Sequence, residues 1–482
     1  SGEPRRWQPW SRTLALFYAR KRSSSTRRSD WPRAPGCGIF RALGAIFAPM
    51  TSQPQPQLAL LPNGVRVATI EMPHMQSVSI GFWTGTGSRH ESAAQSGIAH
   101  FIEHLLFKGT PTRSSEEISR QIERLGGSID AFTTEDHTAY QVKGPAEQME
   151  PLIDVLADLY QHPRFDPDDL ENERNVIREE IAMVRDQPSQ WLEDLTSAAA
   201  WPGHPLGRAI TGTEETLGDI DRSAVIAFHR AAYTAPQTVV TVAGRVTHDE
   251  VMALLAPRLA NLPTGTPMEA DVAPPKSAGF AFARRDDLEQ AHLAVGFHAC
   301  GRHEEGRFAQ KLLNVLLGEN MSSRLFQELR EREGLCYEVQ SDIMAFEDTG
   351  LLHVYVALDP SQVGRALTTL RRVLAEFAES PPGIQELEEA KSYLIGQSRI
   401  ALENTASQMM WAGECLLSFG KVIDPEQVHQ RLTAVTPAEI QEIAGRLFRA
   451  DRLVTAAVGP KGMEKTLRAW HEAFEPGAVG NR

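Results

Sequence analysis

The sequence predicts an α+β protein of two homologous domains, each an antiparallel-rich sheet with helices packed on one face. Three observations lead there. At 482 residues the chain exceeds the size at which one hydrophobic core usually stops growing. Runs with period-two apolar alternation are followed by longer stretches with helical periodicity. The second half also repeats landmarks of the first: Val239-Val-Thr-Val-Ala-Gly244 closes one half much as Leu453-Val-Thr-Ala-Ala-Val-Gly459 closes the other, and Ile80-Gly81-Phe82 aligns with Val295-Gly296-Phe297. The expected units are 50–262, a Pro-, Thr- and Gly-rich linker over 263–275, and 276–482.

The elements of the first half follow in order. Leu61 to Ile70 gives a strand after an Asn63-Gly64 turn, and Ser77 to Trp83 alternates as another. Gly85-Thr-Gly-Ser-Arg-His-Glu91 is a glycine loop leading toward a short helix around His100, closed by Gly109; its spacing fits neither a dinucleotide nor a P-loop signature. Ser114 and Glu117 form a capping box for a helix that stops at Gly126-Gly127. Ile129 to Thr134 and His137 to Val142 read as paired strands, followed by a helix from Ala146 to Gln161. Asp166 as N-cap and Pro167 at the first helical position open the next helix, which runs to Asp186.

In the second half, sliding the His100 helix onto Phe308 to Gly318 at an offset of 211 lays Leu105-Leu106 on Leu316-Leu317. His100, Glu103 and His104 then become Lys311, Asn314 and Val315, so the copy is expected to keep the fold without the chemistry. Ser322 to Gly334 reads as a helix stopped by its glycine, with Tyr337 in the strand beyond. Arg330 in the last turn complements the helix C-terminus.

The chemistry lies in two helices. At about 100° per residue, His104 falls about 40° from His100 and Glu103 about 60° to the other side, so three metal-competent side chains crowd one face. Two imidazoles one turn apart can reach a single Zn²⁺, with the carboxylate between them beside the open coordination position. Glu103 is therefore the candidate general base. On the helix from Pro167, Glu173 and Glu180 fall on the same stripe as Leu170, Val176, Ile177, Ile181 and Val184, whereas Glu171 and Glu179 point away. Two carboxylates on an apolar stripe need a cation, either a metal or a buried Lys or Arg.

Composition narrows the partners. Residues 1–49 hold ten Lys/Arg against Glu3 and Asp30, +8, while the whole chain is −13, so the remainder carries −21. Such an acidic body repels nucleic acid and favours basic or neutral partners. The leader reads as a disordered transit-type segment, a signal-like core interrupted by Arg41, or sequence upstream of a start at Met50, the last being preferred. Cys37, Cys300, Cys336 and Cys415 are isolated, which fits a reduced compartment and excludes a cysteine-based zinc site. No apolar run is long enough to span a membrane.

His100-x-x-Glu103-His104, with Glu180 following 76 positions later, resembles the inverzincin motif of the pitrilysin/insulinase family of zinc metallopeptidases, over essentially all of residues 58–470. The nearest likeness is to the half-length members, which include mitochondrial processing peptidase and its bacterial relatives. The resemblance implies the family's duplicated metallohydrolase-like fold. It implies that His100, His104 and Glu180 bind one Zn²⁺ per chain, that Glu103 activates water and that Glu173 supports the site. Where the family usually has Asn, this chain has Asp130, which would favour a positive side chain nearby. Arg330 and Tyr337 resemble the pair with which relatives grip substrate near the zinc. The implied assembly is a homodimer in which that pair completes the partner's site, cutting peptides or unfolded segments inside a chamber. A scaffold subunit of the same family, or the catalytic subunit of a heterodimeric processing peptidase, are the alternatives. The implied setting is the bacterial cytoplasm, or the mitochondrial matrix or an exported location if the leader is a targeting segment.

Overall fold

The computed structural model describes residues 55–474, so the leader expected over 1–49 lies outside the described residues. The first half forms β1 (Gln57–Leu60), β2 (Arg66–Glu71), β3 (Ser77–Thr84), β4 (Ser128–Thr133), β5 (Thr138–Pro145) and β6 (Thr238–Gly244), in the sheet order β1-β2-β6-β3-β5-β4. The second forms β7 (Gly279–Arg284), β8 (Ala291–Ala299), β9 (Cys336–Ala345), β10 (Gly350–Leu358) and β11 (Leu453–Gly459), in the order β7-β11-β8-β10-β9. β2 pairs with β6 in parallel, as β7 does with β11, and the remaining pairings are antiparallel. With β1 set aside, the two sheets share one order and one set of strand directions. Strand β1 is an addition to the expected elements. Its Leu58 and Leu60 are both exposed, so it lacks the alternating burial that marks a strand in sequence.

Helices cover both faces of each sheet, the half's own helices on one face and a helix lent from the opposite half on the other. In the first half these include α1 (Ile98–Leu106), α2 (Ser115–Arg124), α3 (Met149–Gln161), α4 (Pro167–Asp186) and α5 (Pro188–Ala200). In the second they include α6 (Arg307–Asn314), α7 (Val363–Glu379), α8 (Ile384–Ala401) and α9 (Thr405–Phe419). Val78, Ile80 and Phe82 of β3 point into the first core, with Phe101, Ile102 and Leu105 of α1 and Leu152 and Leu156 of α3. The alternate residue, Trp83, points the other way.

Those opposite faces are closed by exchange. Met409, Ala412 and Leu416 of α9 lie on Ala68, Ile70, Trp83 and Val239 of the first sheet. Leu192 of α5 lies with Ala294, Ala456 and Val458 of the second, and Ala199 and Trp201 lie with Leu351 and Val454. Each half lends the other one helix, so the apolar faces tie the halves together. A Cβ at Gly413 would overlap the Trp83 ring; glycine there lets α9 rest directly on the indole.

Three expectations shift. The His100 helix ends at Leu106, capped by Phe107, because Gly109 belongs to a bridge with Ser114. Phe326 to Arg332 winds as a wider π-type turn, with Gly334 at φ 61° beyond it. Val176 is 48% exposed; the buried stripe of α4 runs instead through Leu170, Glu173, Arg174, Ile177 and Ile181.

Candidate metal centre

Helix α1 is fixed by its apolar side: Ile98, Phe101, Ile102, Leu105 and Leu106 are fully buried, which leaves His100, Glu103 and His104 to face α4 and the edge strand β4. Helix α4 starts where Asp166 accepts from the Asp168 amide with Pro167 at the first position, and it crosses α1 so that Glu173 and Glu180 meet the histidines.

His100 Nε2 lies 3.7 Å and His104 Nε2 3.8 Å from Glu180 Oε2, and the three donor groups lie within 4.8 Å of one another. Neither nitrogen is close enough to the carboxylate for a hydrogen bond. Both gaps are near the ~3.3 Å edge of a tetrahedron with ~2.0 Å bonds, so the donor set and spacing fit a tetrahedral Zn²⁺. His100 is buried and its Nδ1 has no hydrogen-bond partner, as for a ring positioned by packing rather than by polar contacts. Burial holds its pKa well below the usual imidazole value, with His104 adding to the effect, so it is neutral and competent to donate a lone pair.

The other carboxylate of α4 has a different task. Glu173 Oε2 is 3.1 Å from His104 Nδ1, and Oε1 is 2.5 Å from Lys108 Nζ. Burial raises the Glu173 carboxyl, but hydrogen bonds from His104 and Lys108 outweigh it and hold the group below the ordinary value. An ionised carboxylate only accepts, so the His104 proton sits on Nδ1 and Nε2 is left facing Glu180. The buried-lysine alternative therefore applies to Glu173, while Glu180, 32% exposed at the rim, is left facing the two imidazoles.

Glu103 accepts a 2.6 Å hydrogen bond from the Thr133 hydroxyl of β4. Burial pushes its carboxyl up to about 7, with Glu180 and Asp130 adding to the rise and His104 and Thr133 opposing it. Asp130 accepts from the Ala131 amide rather than from a cation, and burial raises it to about 6. Arg330 and Tyr337 come together elsewhere: the guanidinium lies 4.9 Å from the Tyr337 ring centre and 4.7 Å from that of Phe326. Tyr337 is 78% exposed, and none of these contacts reaches the His-His-Glu cluster. Lys108 and Thr133 were not singled out in the sequence. Lys108 lies four residues past His104 and could have been found from that spacing; Thr133 is brought in by the β4–β5 hairpin and leaves no local signal.

Fold and cluster together define a class: a duplicated α+β protein with, among the described residues, one metal-competent His-His-Glu centre, carried by its first half. The family description "Insulinase (Peptidase family M16)" matches residues 66–214, and "Peptidase M16 inactive domain" matches 219–394. The chain belongs to this insulinase family. An uncharacterized zinc protease of Mycobacterium leprae is 38% identical over 414 residues, 84% of this chain and 92% of the relative. One from Bacillus subtilis is 35% identical over 400 residues, covering 83% and 97%. A crystallised protease from Helicobacter pylori shares the fold with a TM-score of 0.80 at 21% identity, covering 85% of this chain and 100% of that one. Among the described residues no helix is long and apolar enough to cross a membrane.

Proposed function

We infer that the chain is a zinc-dependent metalloendopeptidase that cleaves peptides or unfolded polypeptide segments, with one Zn²⁺ per chain held by His100, His104 and Glu180. The observation that carries this reading is the convergence of two imidazoles and a carboxylate from α1 and α4 around a gap, with Glu103 beside it. The names of the relatives support it. Zinc, when bound, supplies Lewis acidity and lowers the pKa of water. Glu103, held by Thr133 and near neutrality through burial, takes the proton of the attacking water and returns it to the leaving amine. Glu173 and Lys108 keep His104 in the tautomer that presents Nε2.

Arg330 and Tyr337 donate hydrogen bonds to the scissile carbonyl oxygen as it gains charge. Their place in the second half, with the guanidinium over the Tyr337 and Phe326 rings rather than in contact with the cluster, supports completion of each site by a second copy of the chain. Bacterial relatives, and the free, buried state of Cys300, Cys336 and Cys415 among the described residues, support a cytoplasmic setting. The excess negative charge favours basic substrates.

Cleavage of a quenched fluorescent basic peptide by wild type and Glu103→Gln, with zinc measured on both, tests the reading. It is supported if both hold about one zinc per chain and only wild type cleaves, the variant losing about 10²-fold or more. A zinc-loaded, dimeric wild type that leaves a range of peptides uncut would replace it with the scaffold or heterodimer alternative.

A further inference from the structure

The helix that carries both histidines is capped from a distance. Helices α2 and α4 are capped by the residue just before them, Ser114 and Asp166. The N-cap of α1 is Gly97 at φ 97°, which has no side chain to offer. Its amides are taken from a distance instead: Glu91 Oε2 accepts from Gly97 N at 2.8 Å and Oε1 from Ala99 N at 2.9 Å. Both oxygens are thereby committed to α1, one of them to the residue preceding His100.

Glu91 is 4% exposed. Arg208, a cation whose charge acts on it, donates to the main-chain oxygen of Glu91 at 2.6 Å rather than to the carboxylate. Burial pushes the carboxyl up to about 8, a cost that a surface cap such as Ser114 avoids. The loop bearing Glu91 is itself anchored. Ser88 N and Arg89 N donate to Thr134 O and Glu135 O, next to the strand that supplies Thr133, and the Arg89 guanidinium donates to Asp271 O and Asp348. Helix α6, which occupies the corresponding place in the second half and carries no ligands, starts at Gly306 with no side-chain cap.

We propose that Glu91 is a positioning residue: its buried carboxylate ties the N-terminus of the ligand helix to the Gly85–Glu91 loop and so sets where His100 and His104 stand. A nine-residue helix is too short to hold its own end in place, and ligand geometry tolerates little displacement. The proposal rests on the zinc-peptidase reading above.

Its test compares wild type with Glu91→Gln in the full-length protein. The amide keeps the size but turns a donor toward one of the two helix N–H groups. Zinc affinity is read by competition with a chelating dye, kcat and KM on the fluorescent peptide, and melting temperature alongside. Ser114→Ala, which removes an ordinary cap from α2, is the control. Expected for Glu91→Gln is a zinc dissociation constant weaker by about tenfold and a lower kcat with little change in KM. Ser114→Ala should lower melting temperature while leaving zinc affinity and kcat alone. If Glu91→Gln loses only melting temperature, as the control does, the positioning role is overturned and Glu91 is a cap for stability. Should Glu91→Gln fail to fold, Glu91→Asp, which keeps the charge but is too short to reach both amides, is read by the same criteria. A wild type that neither binds zinc nor cleaves would instead overturn the underlying reading.

Discussion

The two halves place a helix against an edge strand in the same topological position and use it differently. In the first, Glu103 of α1 takes a hydrogen bond from Thr133 of β4, and the histidines on either side of it face Glu180. In the second, Asn314 of α6, the counterpart of Glu103 under the Leu105-Leu106 alignment, takes one from Ser341 of β9 at 2.7 Å and donates to Glu319 at 2.9 Å. Where the first half has a titratable group beside the His-His-Glu cluster, the second has a closed amide network. The helix-to-edge-strand contact therefore belongs to the fold, and the chemistry depends on which side chains fill it. The reciprocal exchange of α5 and α9 makes the half without the His-His-Glu cluster indispensable, since it covers the far face of the sheet that holds β3 and β4.

The sharpest way to break this asymmetry is to remove the proposed ligand whose ion-pair contacts, among the described residues, are with the two imidazoles. Glu180→Gln should abolish tight zinc binding and lower peptide cleavage by about 10³-fold or more, with the fold kept, since Glu180 sits at the rim. Metal analysis and circular dichroism check it. Retained zinc and activity would mean that the cluster is not the metal site. Gly413→Ala attacks the other side of the comparison, the exchange itself. An added methyl would strike the Trp83 ring and should cost about 1–3 kcal/mol, read in denaturant unfolding.

Much of this was legible in the sequence, for reasons particular to each element. Helix α4 announces itself because burial on one side leaves a period, and β3 because large Val78, Ile80 and Phe82 alternate with small Ser77, Ser79 and Gly81; the Asp166-Pro167 start and the Ser114 capping box are local hydrogen-bond chemistry. The juxtaposition of His100, Glu103 and His104 is a consequence of helix pitch alone. What was not legible depends on tertiary contact. The exchange of α5 and α9 arises because each sheet has a second apolar face, and nothing in a local pattern says which helix will cover it. The separate fates of Glu173 and Glu180 turn on Lys108, which lies beyond the end of α1. Distances between Glu91 and the amides of α1 likewise depend on the course of a loop.

A smaller effect should follow from loosening the base without removing it. Thr133→Val deletes the 2.6 Å hydrogen bond to Glu103 and should lower kcat by about tenfold at unchanged zinc content, whereas Thr133→Ser should keep most activity. If Val and Ser behave alike, the hydroxyl does not orient the base. Metal-free stability gives a separate reading of Glu103. Its folded pKa, about 7, lies above the unfolded carboxylate value, so its contribution is fully present below that unfolded value and is lost as pH rises through about 7. The stability of metal-free wild type relative to Glu103→Gln should therefore fall between about pH 5 and 7.5, by on the order of 1–3 kcal/mol. A difference that grows with pH across that range would contradict the assigned burial of the carboxylate.

The corresponding change in the second half should leave turnover alone. Asn314 is 3% exposed, and its side chain joins Ser341 of β9 to Glu319 just beyond α6. Asn314→Ala would leave the buried Ser341 hydroxyl only the longer 3.2 Å bond to the main-chain oxygen of residue 314, and would leave Glu319, already raised to about 7 by burial, without the amide that opposes the rise. Unfolding should become easier by about 1–3 kcal/mol, because the cost comes from partners left unsatisfied. Zinc affinity and kcat should stay within about twofold, since no polar contact of Asn314 reaches α1, α4 or β4. The two halves meet through apolar faces rather than through the Asn314 network, so its loss stays local. Should Asn314→Ala instead weaken zinc binding as strongly as Glu91→Gln, the second-half network would be coupled to the metal helix, and the division of labour drawn between the halves would fail.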